Sequence, residues 1–224
     1  MTPPEIPAKK LATMPAKMPA KVWQEMVRGN ERFIAGVPSH PRQDVERRTA
    51  LGKIQAPEAA LFGCSDSRLA AEIIFDKGIG DLFVVRNAGQ IISDSVIGSL
   101  EYAVSVLNVP LIVVLGHDEC GAVLAAIASR GKDAPRLPPH IASLISKIFP
   151  AVDRVSGKRD DSGAVLETDA LEVGREHLRD TIRELIEASE LISEAIAAGT
   201  LAVVGANYRL LEGQVVPDIT IGNL

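Results

Sequence analysis

The chain has only two cysteines and one tryptophan, and aromatic residues make up 4% of its 224 positions. Two cysteines are too few for a disulfide framework, so in a reducing compartment they read as ligands, nucleophiles or small buried hydrophobes. Excess positive charge is missing too. Lys and Arg number 24 against 29 Asp and Glu, a net charge of -5, which leaves no electrostatic footprint for nucleic acid or an anionic membrane surface. No apolar run approaches the ~18 to 20 residues of a membrane span. Met1 to Ala20 contains no continuous apolar segment, so no secretory signal is expected and the expected location is cytoplasmic. A Gly-x-Gly-x-x-Gly turn and a Walker-type loop are both missing, which argues against nucleotide binding.

What is present suits one well-packed unit, with hydrophobic residues at 46%. Residues 1–20 repeat Pro, Ala, Lys and Met and read as a mobile or partner-packing extension; residues 21–224 read as a single α/β domain. Val22, Trp23, Met26 and Phe33 fall at helical spacing, with Gly36 and Pro38 ending the pattern. Trp23 is expected to be a packing anchor. Residues 39–57 are polar and carry no strand signal. Apolar runs Ala59–Phe62, Leu82–Val85, Leu111–Leu115 and Leu201–Ala206 read as buried strands. Helical patterns cover 69–76, 93–107, 121–129, 141–149 and 165–198, and Arg86 to Gly89 reads as a turn. Strand alternating with helix predicts a central, mostly parallel sheet flanked by helices. Glu212-Gly213 predicts a C-terminal edge hairpin over 208–216.

The two cysteines follow the first and third apolar runs, in Cys64-Ser65-Asp66-Ser67-Arg68 and in His117-Asp118-Glu119-Cys120. Ligand crevices of open α/β sheets lie outside the carboxyl ends of the strands. Cys64, His117 and Cys120 therefore form a candidate zinc set, and three protein ligands leave a fourth position for a water whose pKa falls to about 7. Asp66 and Arg68 flank that set as a carboxylate–guanidinium pair. An arginine partner orients the carboxylate and keeps it ionised, whereas an unpaired Asp66 could swing onto the metal, and acidification is expected to favour that closed state. His40, His140 and His177 read as solvated surface residues, and Asp118 and Glu119 as turn residues.

These segments, with Phe83-Val84-Val85-Arg86-Asn87, Glu101-Tyr102-Ala103-Val104 and Gly121, resemble the β-class carbonic anhydrases over about residues 23–223. The resemblance implies zinc-dependent reversible hydration of carbon dioxide to bicarbonate. It implies Cys64, His117 and Cys120 as metal ligands and Asp66 with Arg68 as the catalytic dyad. By position, Gln55, Phe83, Ala88, Tyr102 and Gly121 match substrate-pocket residues, Ala88 standing where many plant-like members have valine. The family implies a homodimer or homotetramer with an N-terminal helical arm on the partner, some pocket residues coming from the other subunit. The Trp, Arg and Tyr set of the bicarbonate-inhibited members is not found. The alternatives are hydrolysis of a sulfur analogue, carbonyl sulfide or carbon disulfide, on the same zinc site, or a non-catalytic zinc-binding module.

Overall fold

The computed structural model describes residues 18–157 and 167–224. The extension expected over 1–20 thus lies outside the described residues up to position 17. The expected strands and helices form one five-stranded sheet in the order β2-β1-β3-β4-β5, comprising β1 (Ala59–Cys64), β2 (Leu82–Asn87), β3 (Leu111–His117), β4 (Ala202–Arg209) and β5 (Gln214–Ile221). The first four run parallel, and β5 returns antiparallel to β4. Every residue of β1 and β3 is buried, as central parallel strands covered on both faces must be.

Period-two alternation divides the core. Leu61, Val113 and Val204 lie level across the sheet and face one layer, which contains α1 (Pro19–Ile34), α3 (Ala71–Ile74), α5 (Gly121–Ser129), α6 (Pro139–Ser146) and α7 (Phe149–Val155). Their neighbours Ala60, Ile112 and Val203 face α4 (Asp94–Ser105), α8 (Ala170–Ala188) and α9 (Glu190–Ala197). β5 is one of the two edge strands, half open to solvent, and carries Pro217 opposite a bulge at Gly205/Ala206, a position where a missing N–H is tolerated.

Helix α1 seats its buried stripe, Val22, Met26, Gly29 and Asn30, on its own chain. Gly29 has no room for a side chain, since a Cβ there would lie 1.9 Å from the Phe75 carbonyl oxygen. Asn30 Nδ2 donates to Ile74 O and Gly213 O, and its Oδ1 accepts from Val215 N. The expected arm is therefore, over 19–34, a helix fastened to the C-terminal hairpin, with Trp23 half-buried against that layer.

One helix was not expected, and three expectations need correction. Helix α2 (Val45–Ala50) lies in the polar stretch 39–57; it buries no residue, and its sign is the Asp44 side chain accepting from Arg47 N at 2.7 Å, a cap rather than an apolar stripe. Helix α3 stops at Ile74 because Asp76 adopts φ +46°. The 141–149 helix divides in two, with Pro150 in the first turn of α7. Arg86 and Asn87 continue β2 rather than turning.

Asp76 holds this end of the molecule together. Its side chain, 1% exposed, accepts from Arg32 Nε at 2.6 Å, Ser39 Oγ at 2.7 Å, Ser39 N at 3.0 Å and His40 N at 2.9 Å. Burial alone would raise its pKa, but these donors outweigh burial and hold the carboxyl well below the usual carboxylate range. A depressed native pKa stabilises the fold above the unfolded value of about 3.9 and loses that contribution as pH falls. Asp76→Asn is accordingly expected to lower unfolding free energy by about 2 kcal/mol at pH 7. In urea titrations it should lose less stability than the parent between pH 5 and 3; parallel pH curves would contradict this account.

Candidate metal centre

The register places the two cysteine segments side by side. β1 lies beside β3 with Gly63 level with Leu115, so Cys64 leaves one central strand as Gly116 and His117 end the next. The Sγ atoms of Cys64 and Cys120 and a ring nitrogen of His117 all lie within 4.8 Å of one another, and all three residues are buried. Glu119 makes this possible by adopting φ +51°; this reversal of the turn brings Cys120 back as the N-cap of α5.

His117 Nδ1 donates to the Asp118 carbonyl at 2.7 Å, which fixes the tautomer and leaves Nε2 as an acceptor. That Nε2 is buried without a hydrogen-bond partner among the described residues. Cys120 hydrogen-bonds to Cys64, and this is the largest influence holding the Cys64 thiol below its ordinary range and Cys120 above it. The N–H groups of Gly89 and Asp66 also favour the Cys64 thiolate. The first-turn amides of Ala122 and Val123 favour the Cys120 thiolate. An orphaned imidazole nitrogen and two thiols surrounded by donors fit a zinc ion better than a disulfide or an inert core.

Asp66 and Arg68 face this cluster from the loop after β1. Arg68 Nε donates to Asp66 Oδ1 at 2.9 Å and Nη2 to Oδ2 at 2.7 Å, a two-pronged pair. The Arg68 guanidinium holds the Asp66 carboxyl well below the usual carboxylate range. Arg68 Nη2 also reaches the Glu119 carbonyl at 3.2 Å, so one side chain ties the dyad to the turn carrying His117 and Cys120.

The residues 59–215 match the carbonic anhydrase family model. The chain belongs to the carbonic anhydrase family. It is 47% identical over 211 residues to Carbonic anhydrase 2 of Mycobacterium tuberculosis, covering 94% of this chain and 98% of that one. It is 44% identical over 203 residues to the carbonic anhydrase of Mycolicibacterium smegmatis, covering 90% and 94%. In fold it is similar to a tetrameric β-carbonic anhydrase of Sordaria macrospora, at TM-score 0.68 and 24% identity over 90% of this chain and 100% of that one.

Within this carbonic anhydrase family member the expected pocket residues separate into two groups. Ala88 and Gly121 stand at the carboxyl edge, next to Gly89 and Cys120 respectively, and both are exposed. Gln55 lies exposed in the loop before β1, at the opposite edge. Phe83 pairs with Ala60, four residues before Cys64, roughly 13 Å away at about 3.3 Å per residue. It contacts Tyr102 with ring centroids 6.2 Å apart. One chain therefore does not bring Gln55, Phe83 and Tyr102 to its own Cys64–His117–Cys120 cluster.

Two residues with no expected role, one on β2 and one on α8, bond to the loops around the cluster. Arg86 Nε donates to Cys64 O at 2.9 Å and Nη2 to Asp66 O at 2.6 Å, bracing the loop that carries both residues. A charged residue closing an apolar strand was the available signal. His177, expected at the surface, is 5% exposed. It occupies the inner face of α8 with Val173, Leu178 and Thr181, a stripe hidden by the many charges on the opposite face.

Proposed function

We propose that the protein catalyses reversible hydration of carbon dioxide to bicarbonate, with zinc held by Cys64, His117 and Cys120. The convergence of these three buried donors beside the Asp66–Arg68 pair carries the reading. Zinc bound there would supply Lewis acidity and make a water acidic enough to react near pH 7. The chain's own groups prepare that chemistry. The Asp118 carbonyl aims His117 Nε2 at the cluster, and Arg68 holds Asp66 ionised and oriented. Asp66 retains lone pairs to accept a hydrogen bond from the attacking oxygen and turn that oxygen toward the substrate carbon. The net reaction adds water to carbon dioxide and releases one proton, which leaves to solvent or buffer.

The homodimer or homotetramer belongs to the same proposal. β2 is an edge strand and carries the half-buried Phe83 beside Tyr102, 39% exposed. We assign Phe83, Tyr102 and Gln55 to the pocket of a neighbouring copy, while Ala88 and Gly121 border the chain's own cluster. Among the described residues no helix is long and apolar enough to cross a membrane. The test is a zinc assay joined to stopped-flow carbon dioxide hydration across pH. One zinc per chain with activity lost on chelation and restored by zinc is expected; full activity in metal-free protein would overturn the proposal.

A further inference from the structure

We infer that His177 is a positioning residue for the metal cluster: through Gly89 it fixes the backbone amide that hydrogen-bonds the Cys64 sulfur. The inference rests on the zinc reading of Cys64, His117 and Cys120.

The contacts form a chain of two hydrogen bonds. His177 Nε2 lies 2.7 Å from the Gly89 carbonyl oxygen, and Gly89 N donates to Cys64 Sγ at 3.4 Å. A carbonyl can only accept, so Nε2 carries the proton and Nδ1 is the bare acceptor. Burial, the largest influence, lowers the pKa of His177, so the ring is a neutral donor. The two bonds engage different peptide planes on either side of Gly89. Glycine has no side chain to hold its own backbone, so the orientation of this turn depends on bonds to both planes, His177 holding the one that carries the Gly89 carbonyl.

The local backbone needs such an anchor. Gly89 has φ +78° and Gln90 φ +48°, a left-handed pair in which the non-glycine residue is strained. A Cβ on Gly89 would meet Ala122 Cβ at 2.9 Å, so the turn is wedged against the first turn of α5, just past Cys120. Asn87 closes it from one end, its Oδ1 accepting from Ile91 N and its Nδ2 donating to Ile91 O, both at 2.7 Å. α8 closes it from the other, through His177 and through Thr181, whose Oγ1 lies 3.4 Å from Gln90 O.

Stability alone does not account for a histidine here. Its Nδ1 is buried with no partner among the described residues, and an unsatisfied buried polar atom costs about 1–3 kcal/mol. An apolar side chain on this face of α8 would avoid that cost. What the imidazole adds is a directed donor, and donors behind metal ligands commonly alter metal affinity about 10- to 100-fold. The small cavity beside it is lined by Gly89, Gln90, Gly116, His117, Cys120 and His177, so the ring stands directly behind the cluster.

The test measures zinc affinity by chelator competition in the parent protein, His177→Leu and His177→Gln, with the melting temperature of each metal-free protein as the folding control. Gln keeps an N–H near the Nε2 position. His177→Leu is expected to weaken zinc about 10-fold or more, and His177→Gln to recover most of that loss. Zinc affinity in folded His177→Leu within twofold of the parent overturns the inference, as does a Gln variant as weak as Leu. Should His177→Leu not fold, His177→Met takes its place in the same assay, with the same loss expected and the same twofold limit overturning the inference. A parent protein that binds no zinc sinks the zinc reading as well, whereas normal binding with indifferent variants sinks this inference alone.

Discussion

Cys64→Ser is expected to yield a folded protein with less than a tenth of the parent's zinc and a loss in kcat/KM of at least about 10³-fold. The site is closed to substitution for chemical reasons. A thiolate forms near neutral pH and binds zinc at about 2.3 Å, whereas a serine hydroxyl stays protonated and is a poor ligand. Two protein donors, His117 and Cys120, would remain to hold the ion, with the Cys120 sulfur deprived of its nearest partner. The fold should survive, because Cys64 is a small buried residue at a strand end. A hydroxyl there can still accept from Gly89 N, limiting the cost to roughly 1 kcal/mol. Metal content by atomic emission and hydration by stopped flow settle the matter together. Full hydration by a metal-free Cys64→Ser protein would remove zinc from the mechanism, and a variant with full zinc content would remove Cys64 from the ligand set.

The convergence of Cys64, His117 and Cys120 was legible in the sequence because each of them is attached to a strong local signal. Ala59–Phe62 and Leu111–Leu115 are unbroken apolar runs, their ends are strand ends, and both cysteines follow within five residues. The parallel sheet and the hairpin around Gly213 were legible for the same reason: strand burial and turn chemistry are written locally. Asp66 and Arg68, two residues apart, could be paired on paper and are paired in space.

What was not legible depends on contacts distant in sequence. His177 is 88 residues from the Gly89 carbonyl it serves, and on a helix so charged on its outer face it reads as solvated. Helix α2 buries nothing, so no periodicity announced it. Phe83 and Tyr102 lie in blocks that carry the resemblance and Gln55 is matched by position, yet their places on β2, on α4 and in the loop before β1 lie away from the chain's own cluster. A linear motif does not say which copy of the chain it serves. Arg86 has no sequence signal of its role because that role is exerted on two backbone carbonyls rather than on a side chain.

Arg68→Ala should separate binding from catalysis: zinc retained at one per chain, with kcat/KM reduced about 10²-fold or more. The guanidinium grips both carboxylate oxygens of Asp66 and bridges to the Glu119 carbonyl, and in the variant only the backbone amide of residue 68 would still hold Asp66, by Oδ1 alone. Without it, Asp66 sits within one short loop of three metal donors and becomes a fourth. A cluster with four protein donors is the closed arrangement of structural zinc, with no position for water. Arg68→Lys is expected to restore little, because an ammonium cannot reproduce the planar two-pronged grip. The cobalt-substituted protein should report the added donor as a changed visible spectrum even if activity is lost for another reason. The pH dependence differs from the simplest expectation of a pair that loosens on mild acidification. Arg68 depresses the Asp66 pKa, so the pair's contribution is present above the ordinary Asp value of about 3.9 and is lost only as pH falls toward the lower folded value. Across pH 5.5 to 9 the ratio of parent to Arg68→Ala activity should therefore stay nearly constant. A ratio that collapses toward one near pH 6 would show the pair opening in that range, and an Arg68→Ala variant of ordinary activity would deny the pair its gating role.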